Sequence, residues 1–225
     1  MATSSTVAFN PSISEIIEEA YERCNIQLTS GYSLKTALFS LNVLFSEWGN
    51  RGIHFWEVAN QNLYITADQN VYDIYKDSTA RDSSTTNKAT YDNTNYVYNA
   101  SDIITAAYRT ANTEVGQTDI SLTKIDRSAY AALANKLANG VPSQFWVERF
   151  IEKTRLTLYI RPGDAQAGNF INIFYVKRIL DAGIAYPNAG ATDAAYSQTS
   201  DIPFRFFPAM VAGLAYYLSQ KISPA

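Results

Sequence analysis

The spacing of apolar residues changes twice along this chain, and those changes restrict the folds open to it. Near the N-terminus Ile13, Ile16, Ile17, Ala20, Tyr21 and Cys24 recur at helical spacing, with Glu15, Glu18, Glu19 and Glu22 on the opposite side. Ser12-Ile13-Ser14-Glu15 fits a capping box, so a first helix is predicted to open at Ser12. Ser33 is placed to cap a second helix striped by Leu34, Leu38, Leu41, Leu44, Phe45 and Trp48, with Gly49 and Gly52 at its end. A short loop between two such helices predicts antiparallel packing. The helical period returns at Pro203, with Phe206, Phe207, Met210, Leu214, Tyr217 and Leu218 as its stripe. Ala209, Ala212, Gly213 and Ala215 on that helix leave room for close approach.

Between these ends the period is two. Phe55 to Val58, Leu63 to Ile65, Val71 to Tyr75, Ile103 to Tyr108 and Ile120 to Ile125 are predicted strands. Asp126 is placed to cap a short helix through Ala134. Three further strands follow: Phe145 to Phe150, then Leu156, Leu158 and Ile160, then Ile171, Ile173 and Tyr175. They predict an antiparallel meander with one buried face. The fold class is therefore α+β, an N-terminal antiparallel helix pair and a C-terminal helix packed with an antiparallel, barrel-like sheet. Residues 12–52 and 203–222 form the helical part, 53–181 the β part, and 182–202 a loop. Within the β part, residues 76–99 are a polar insertion of Ser, Thr, Asn and Asp carrying Tyr91, Tyr96 and Tyr98. It reads as a long loop or projecting arm, its tyrosines suited to a neighbouring subunit.

Chemistry is sparse. Cys24 is the only cysteine, which rules out an intramolecular disulfide and a cysteine-based zinc site. His54 is the only histidine, so a site needing two imidazoles is excluded, and no nucleophile motif accompanies it. No glycine-rich phosphate loop is present, and the spacing of the 21 acidic residues favours no catalytic pair. No catalytic residue, cofactor or metal is expected. The net charge of −3 argues against binding nucleic acid by neutralising phosphates, though not against a surface past which DNA slides. Arg149, Lys153, Arg155, Arg161, Lys177 and Arg178 are interspersed with acids and read as exposed strand faces. The first ten residues lack a basic residue or an apolar run, and the longest apolar stretch, Phe206 to Leu218, is too short for a bilayer and contains Pro208. A soluble protein made in a cytoplasm is expected.

Three segments carry a resemblance. The first is Ile16-Ile17-Glu18-Glu19-Ala20-Tyr21-Glu22-Arg23-Cys24 followed by Ala37 to Leu44 and Glu47-Trp48-Gly49-Asn50-Arg51-Gly52-Ile53. The second is Pro142-Ser143-Gln144-Phe145-Trp146-Val147 with Leu156-Thr157-Leu158-Tyr159-Ile160-Arg161-Pro162. The third runs from Asp201-Ile202-Pro203-Phe204-Arg205-Phe206-Phe207-Pro208 to Leu218. In this order, over residues 12 to 66 and 142 to 222, the chain resembles the head-to-tail adaptor (head-completion or tail tubular) proteins of short-tailed bacteriophages. The resemblance implies a structural virion protein of the neck and tail region. It implies a ring, usually of twelve copies, docked under the portal protein and above the tail nozzle, with double-stranded DNA passing through its lumen. Tyr91, Tyr96, Tyr98, Phe204, Arg205 and Phe207 are the candidate interface residues, as aromatics in the polar insertion or as the start of the last helix. Two features depart from the family: the 76–99 insertion, and an end at Ser223-Pro224-Ala225 where relatives continue with a charged, portal-gripping extension.

Two other classes compete. A carbohydrate- or receptor-binding module of a phage tail would stack Trp56, Trp146, Tyr91 and Tyr96 on sugars. A peptidoglycan-cleaving enzyme would need two carboxyls about 5 to 10 Å apart in a cleft.

Overall fold

The computed structural model describes residues 9–27, 31–53, 56–76, 87–92, 95–111, 116–182 and 198–222. His54 and Phe55, and with them the expectations made for them, lie outside the described residues. The class is α+β. Four helices are described, α1 (Ile13–Arg23), α2 (Gly31–Asn50), α3 (Arg127–Ala132) and α4 (Phe207–Ile222), together with eight strands given below. Contacts divide the chain into two compact units, residues 1–56 with 179–225, and residues 57–178.

The first unit is helical. The capping box at its start is formed in full: the Ser12 backbone N–H donates to Glu15 Oε2 at 2.7 Å, and the Glu15 N–H donates to Ser12 Oγ at 3.3 Å. The Ser12 backbone N–H and, at 2.9 Å, its hydroxyl both donate to the Glu15 carboxyl and hold it below its ordinary pKa. Ser12→Ala is expected to cost about 1 kcal/mol of this unit's stability, as N-caps commonly do. Urea unfolding followed by Trp48 and Trp56 fluorescence measures it, and an unchanged midpoint would show the cap to be idle.

Helix α2 begins at Gly31, two residues before Ser33, which sits inside the first turn and accepts the Tyr21 hydroxyl on its carbonyl at 2.9 Å. Helix α4 begins at Phe207, later than Pro203. Pro203 instead precedes a 3₁₀ turn over Phe204–Phe206, and Pro208 occupies the first α-helical turn, where a missing N–H breaks no bond. Ile13, Ile17, Leu41, Leu44, Met210 and Leu214 are buried together, so the three apolar stripes share one core. Gly213 permits the closest approach: a Cβ there would lie 2.9 Å from Leu44 Cδ2 and 3.0 Å from Leu44 Cδ1. Cys24 is packing rather than chemistry, its thiol directed at the Ala215 carbonyl at 3.3 Å.

The second unit holds all eight strands: β1 (Val58–Tyr64), β2 (Val71–Tyr75), β3 (Ala100–Arg109), β4 (Asp119–Ser121), β5 (Thr123–Lys124), β6 (Gln144–Arg149), β7 (Lys153–Tyr159) and β8 (Phe170–Lys177). They form two four-stranded sheets, ordered β1-β8-β3-β4 and β2-β7-β6-β5, with no closed barrel. The expected meander therefore holds only for its first two members. β6 and β7 pair antiparallel, Phe145 opposite Leu158 and Val147 opposite Leu156, while β8 leaves for the other sheet and lies between β1 and β3. The physical reason is the connection: residues 160 to 169, with a 3₁₀ turn at Asp164–Gln166, are too many for a tight hairpin. Alternation is kept all the same. Ile171, Ile173 and Tyr175 of β8 meet Leu156, Leu158 and Phe145 in one core. Asp126 caps α3 as expected, its carboxylate accepting the Ala129 N–H at 2.7 Å.

The polar insertion is not a projecting arm over residues 87–90 and 95–99; these run along the free edge of β2. Asp73 N–H donates to Asn87 O, Ala89 N–H to Asp73 O, and Asn99 N–H to Tyr75 O. Residues 90 and 96 bridge each other, so the segment doubles back as a small hairpin. Ala89 and Val97 are the reason it stays: both are buried in the sheet core, two apolar residues in an otherwise polar stretch.

Candidate interaction surfaces

The sequence-derived interface residues fall on two surfaces, one in each unit. In the helical unit, α1 and the start of α4 flank a groove of about 730 Å³. Phe9, Ile16, Phe204, Phe207, Pro208 and Val211 make it apolar, and Glu15, Glu19 and Arg23 supply its polar edge. Phe207 is buried and forms the floor, meeting Phe9 edge to face at 6.4 Å. As the first residue of α4, Phe207 packs into the helical core and lines the groove from below. Phe204 remains 66% exposed, and the Arg205 guanidinium lies 5.8 Å from its ring. Glu19 and Arg23 pair on α1 at 2.9 Å. Phe9 was missed by sequence reasoning because it precedes the first helical period and shows no pattern of its own.

In the sheet unit the tyrosines gather on a cation. Lys88 Nζ lies 5.2 Å from the centre of both the Tyr75 and the Tyr96 ring, and Tyr96 meets Tyr98 edge to face at 6.3 Å. Tyr96 and Tyr98 are half-buried, whereas Tyr91 at the turn of the small hairpin is exposed. Beside them lies a buried ion cluster. Asp73 on β2 is only 3% exposed and takes Arg155 Nε at 2.7 Å and Lys153 Nζ at 2.8 Å from β7. The register explains this convergence, for Asp73 stands opposite Arg155 and Tyr75 opposite Lys153. Burial pulls the Lys153 ammonium down, but Asp73 outweighs it and its pKa stands above the ordinary value. The hydrogen bonds that Arg155 donates to Asp73 likewise raise it, so both stay cationic at neutral pH.

Two more of the strand-face cations are paired: Arg149 with Asp102 at 2.6 Å, and Arg161 with Asp68 at 2.8 Å. At the β6–β7 turn, however, Phe150 and Ile151 point into solvent, Ile151 at 81% exposure. The Arg155 guanidinium lies 5.4 Å from the Phe150 ring and backs it from beneath.

Two of the aromatics considered for sugar stacking, Trp146 and Trp56, pack against other rings of the chain. Tyr130 of α3 stacks on Trp146 at 4.8 Å, and Trp56 packs at 4.5 Å on Phe206. Among the described residues no group of three or more His, Cys, Asp or Glu side chains is arranged to hold a metal ion. Nor is any described helix long and apolar enough to cross a membrane. No family model matches the chain, and no curated protein matches it either.

Proposed function

We propose that this chain is a structural virion protein of a short-tailed bacteriophage, a head-to-tail adaptor. Copies of it form a ring, of twelve if the family's usual number holds, beneath the portal protein and above the tail nozzle. The ring continues the channel through which double-stranded DNA passes, without reading its sequence. The observation that carries this reading is the aromatic-lined groove between α1 and α4. A concave apolar surface with a polar edge suits association with another protein. The buried charged cluster of the sheet unit, Asp73 with Lys153 and Arg155, is internally paired. The three resembling segments supply the family, and the mild net charge of −3 suits a channel wall to which DNA does not adhere.

The test is the mass of the purified protein, alone and mixed with the portal ring of the same phage. A complex of fixed stoichiometry with the portal is expected. A protein that stays monomeric and ignores the portal would sink the reading, and glycan binding would then be the property to measure.

A further inference from the structure

An apolar groove in the helical unit and an exposed apolar tip in the sheet unit carry opposite charge at their edges. The α1/α4 groove is concave, and its charged lining is Glu15, Glu19 and Arg23, of which Glu19 and Arg23 pair with each other and leave Glu15 as the uncompensated charge. The β6–β7 tip exposes Phe150 and Ile151, with Arg149 next to them in sequence. Arg149 has a side chain 64% exposed, one nitrogen on Asp102 and the rest of its guanidinium toward water. Glu152, the acid of the turn, has Lys76 at 4.0 Å to offset it.

We propose that the β6–β7 tip of one copy seats in the α1/α4 groove of the next, with Ile151 and Phe150 against Phe204 and Phe9, and Arg149 facing Glu15 of α1. The inference rests on the ring reading and names the contact that would build the ring. Because the two halves are different patches of one chain, the contact is heterologous, the kind that closes a ring when its rotation permits. An aliphatic and an aromatic side chain entering an aromatic-lined groove form the desolvated centre such contacts need. Arg149 set against Glu15 favours one orientation of docking over its reverse.

Two single-cysteine proteins test it, each in a Cys24→Ser background that preserves the bond to Ala215. One carries Ile151→Cys and the other Phe204→Cys, both at exposed positions where folding is unaffected. Mixed under mild oxidation at a concentration where the wild type assembles, they are expected to form a disulfide between positions 151 and 204. A control pairing Ile151→Cys with Leu137→Cys, also exposed, should crosslink at least tenfold more slowly. Separately, Ile151→Asp should weaken self-association roughly tenfold or more. Equal crosslinking in test and control, or unchanged assembly of Ile151→Asp, overturns this contact while leaving the ring standing. A wild type that remains monomeric, alone and with the portal, overturns both.

Discussion

Asp73→Ala is expected to destabilise the sheet unit by about 3 kcal/mol, the lower end for breaking a buried ion pair. The loss has two parts. Lys153 and Arg155 lose the carboxylate that compensates their partial burial, with side chains only 20% and 29% exposed. The end of β2, already lined by residues 87–90, also loses its cross-strand tie to β7. Both cations keep some access to water, which is why the upper end of the range is not reached. Asp73→Asn should recover part of the loss, since an amide oxygen still accepts from the guanidinium. Trp146 fluorescence during urea unfolding reports on this unit, while Trp48 and Trp56 report on the helical one. A fall of less than about 1 kcal/mol for Asp73→Ala would show the cluster to be a surface pair in energetic terms.

Gly213→Leu should cost the helical unit a comparable amount, about 3 kcal/mol, through overpacking. Even a single Cβ would sit within 3.0 Å of the Leu44 methyl groups, and leucine adds three more carbons to the same space. The diagnostic variant is the double one. Leu44→Ala alone should lose about 2 to 5 kcal/mol by leaving a cavity. Combined with Gly213→Leu, the new side chain fills that cavity, and the pair should be at least about 1 kcal/mol better than the sum of the two. Strict additivity would mean that α2 and α4 do not meet at this point.

Which parts of this were legible beforehand follows from where the information is local. The α1 cap could be read because Ser12 and Glu15 are three residues apart, and both hydrogen bonds lie within that span. Strands β6 and β7 could be read because Phe145, Leu156 and Leu158 alternate within a hairpin of short reach. The placement of β8 could not. Its own alternation of Ile171, Ile173 and Tyr175 is equally satisfied on either sheet, and only pairing with β1 and β3, more than 60 residues away in sequence, decides between them. The insertion misled for a related reason, since only Ala89 and Val97 in a polar stretch betray that it is anchored. Of the candidate interface residues, Phe204, Arg205 and Tyr91 are exposed and Phe207 is not. A 3₁₀ turn ahead of α4 rotates the sequence relative to the helix expected from Pro203. The β6–β7 tip was passed over because Phe150 and Ile151 look like the continuation of a strand.

The helical unit is assembled from both ends of the chain, with the sheet unit encoded between them. Its first two helices emerge from the ribosome about 160 residues before the helix that completes their core, which at about 5–20 residues per second is roughly 8 to 30 s. Throughout that interval Ile13, Ile17, Leu41 and Leu44 have no α4 to cover them, while residues 57–178 are already long enough to fold. Synthesis thus imposes an order: the β unit closes first, and the groove-bearing unit is finished last. A subunit able to associate through that groove would appear only once α4 has been translated.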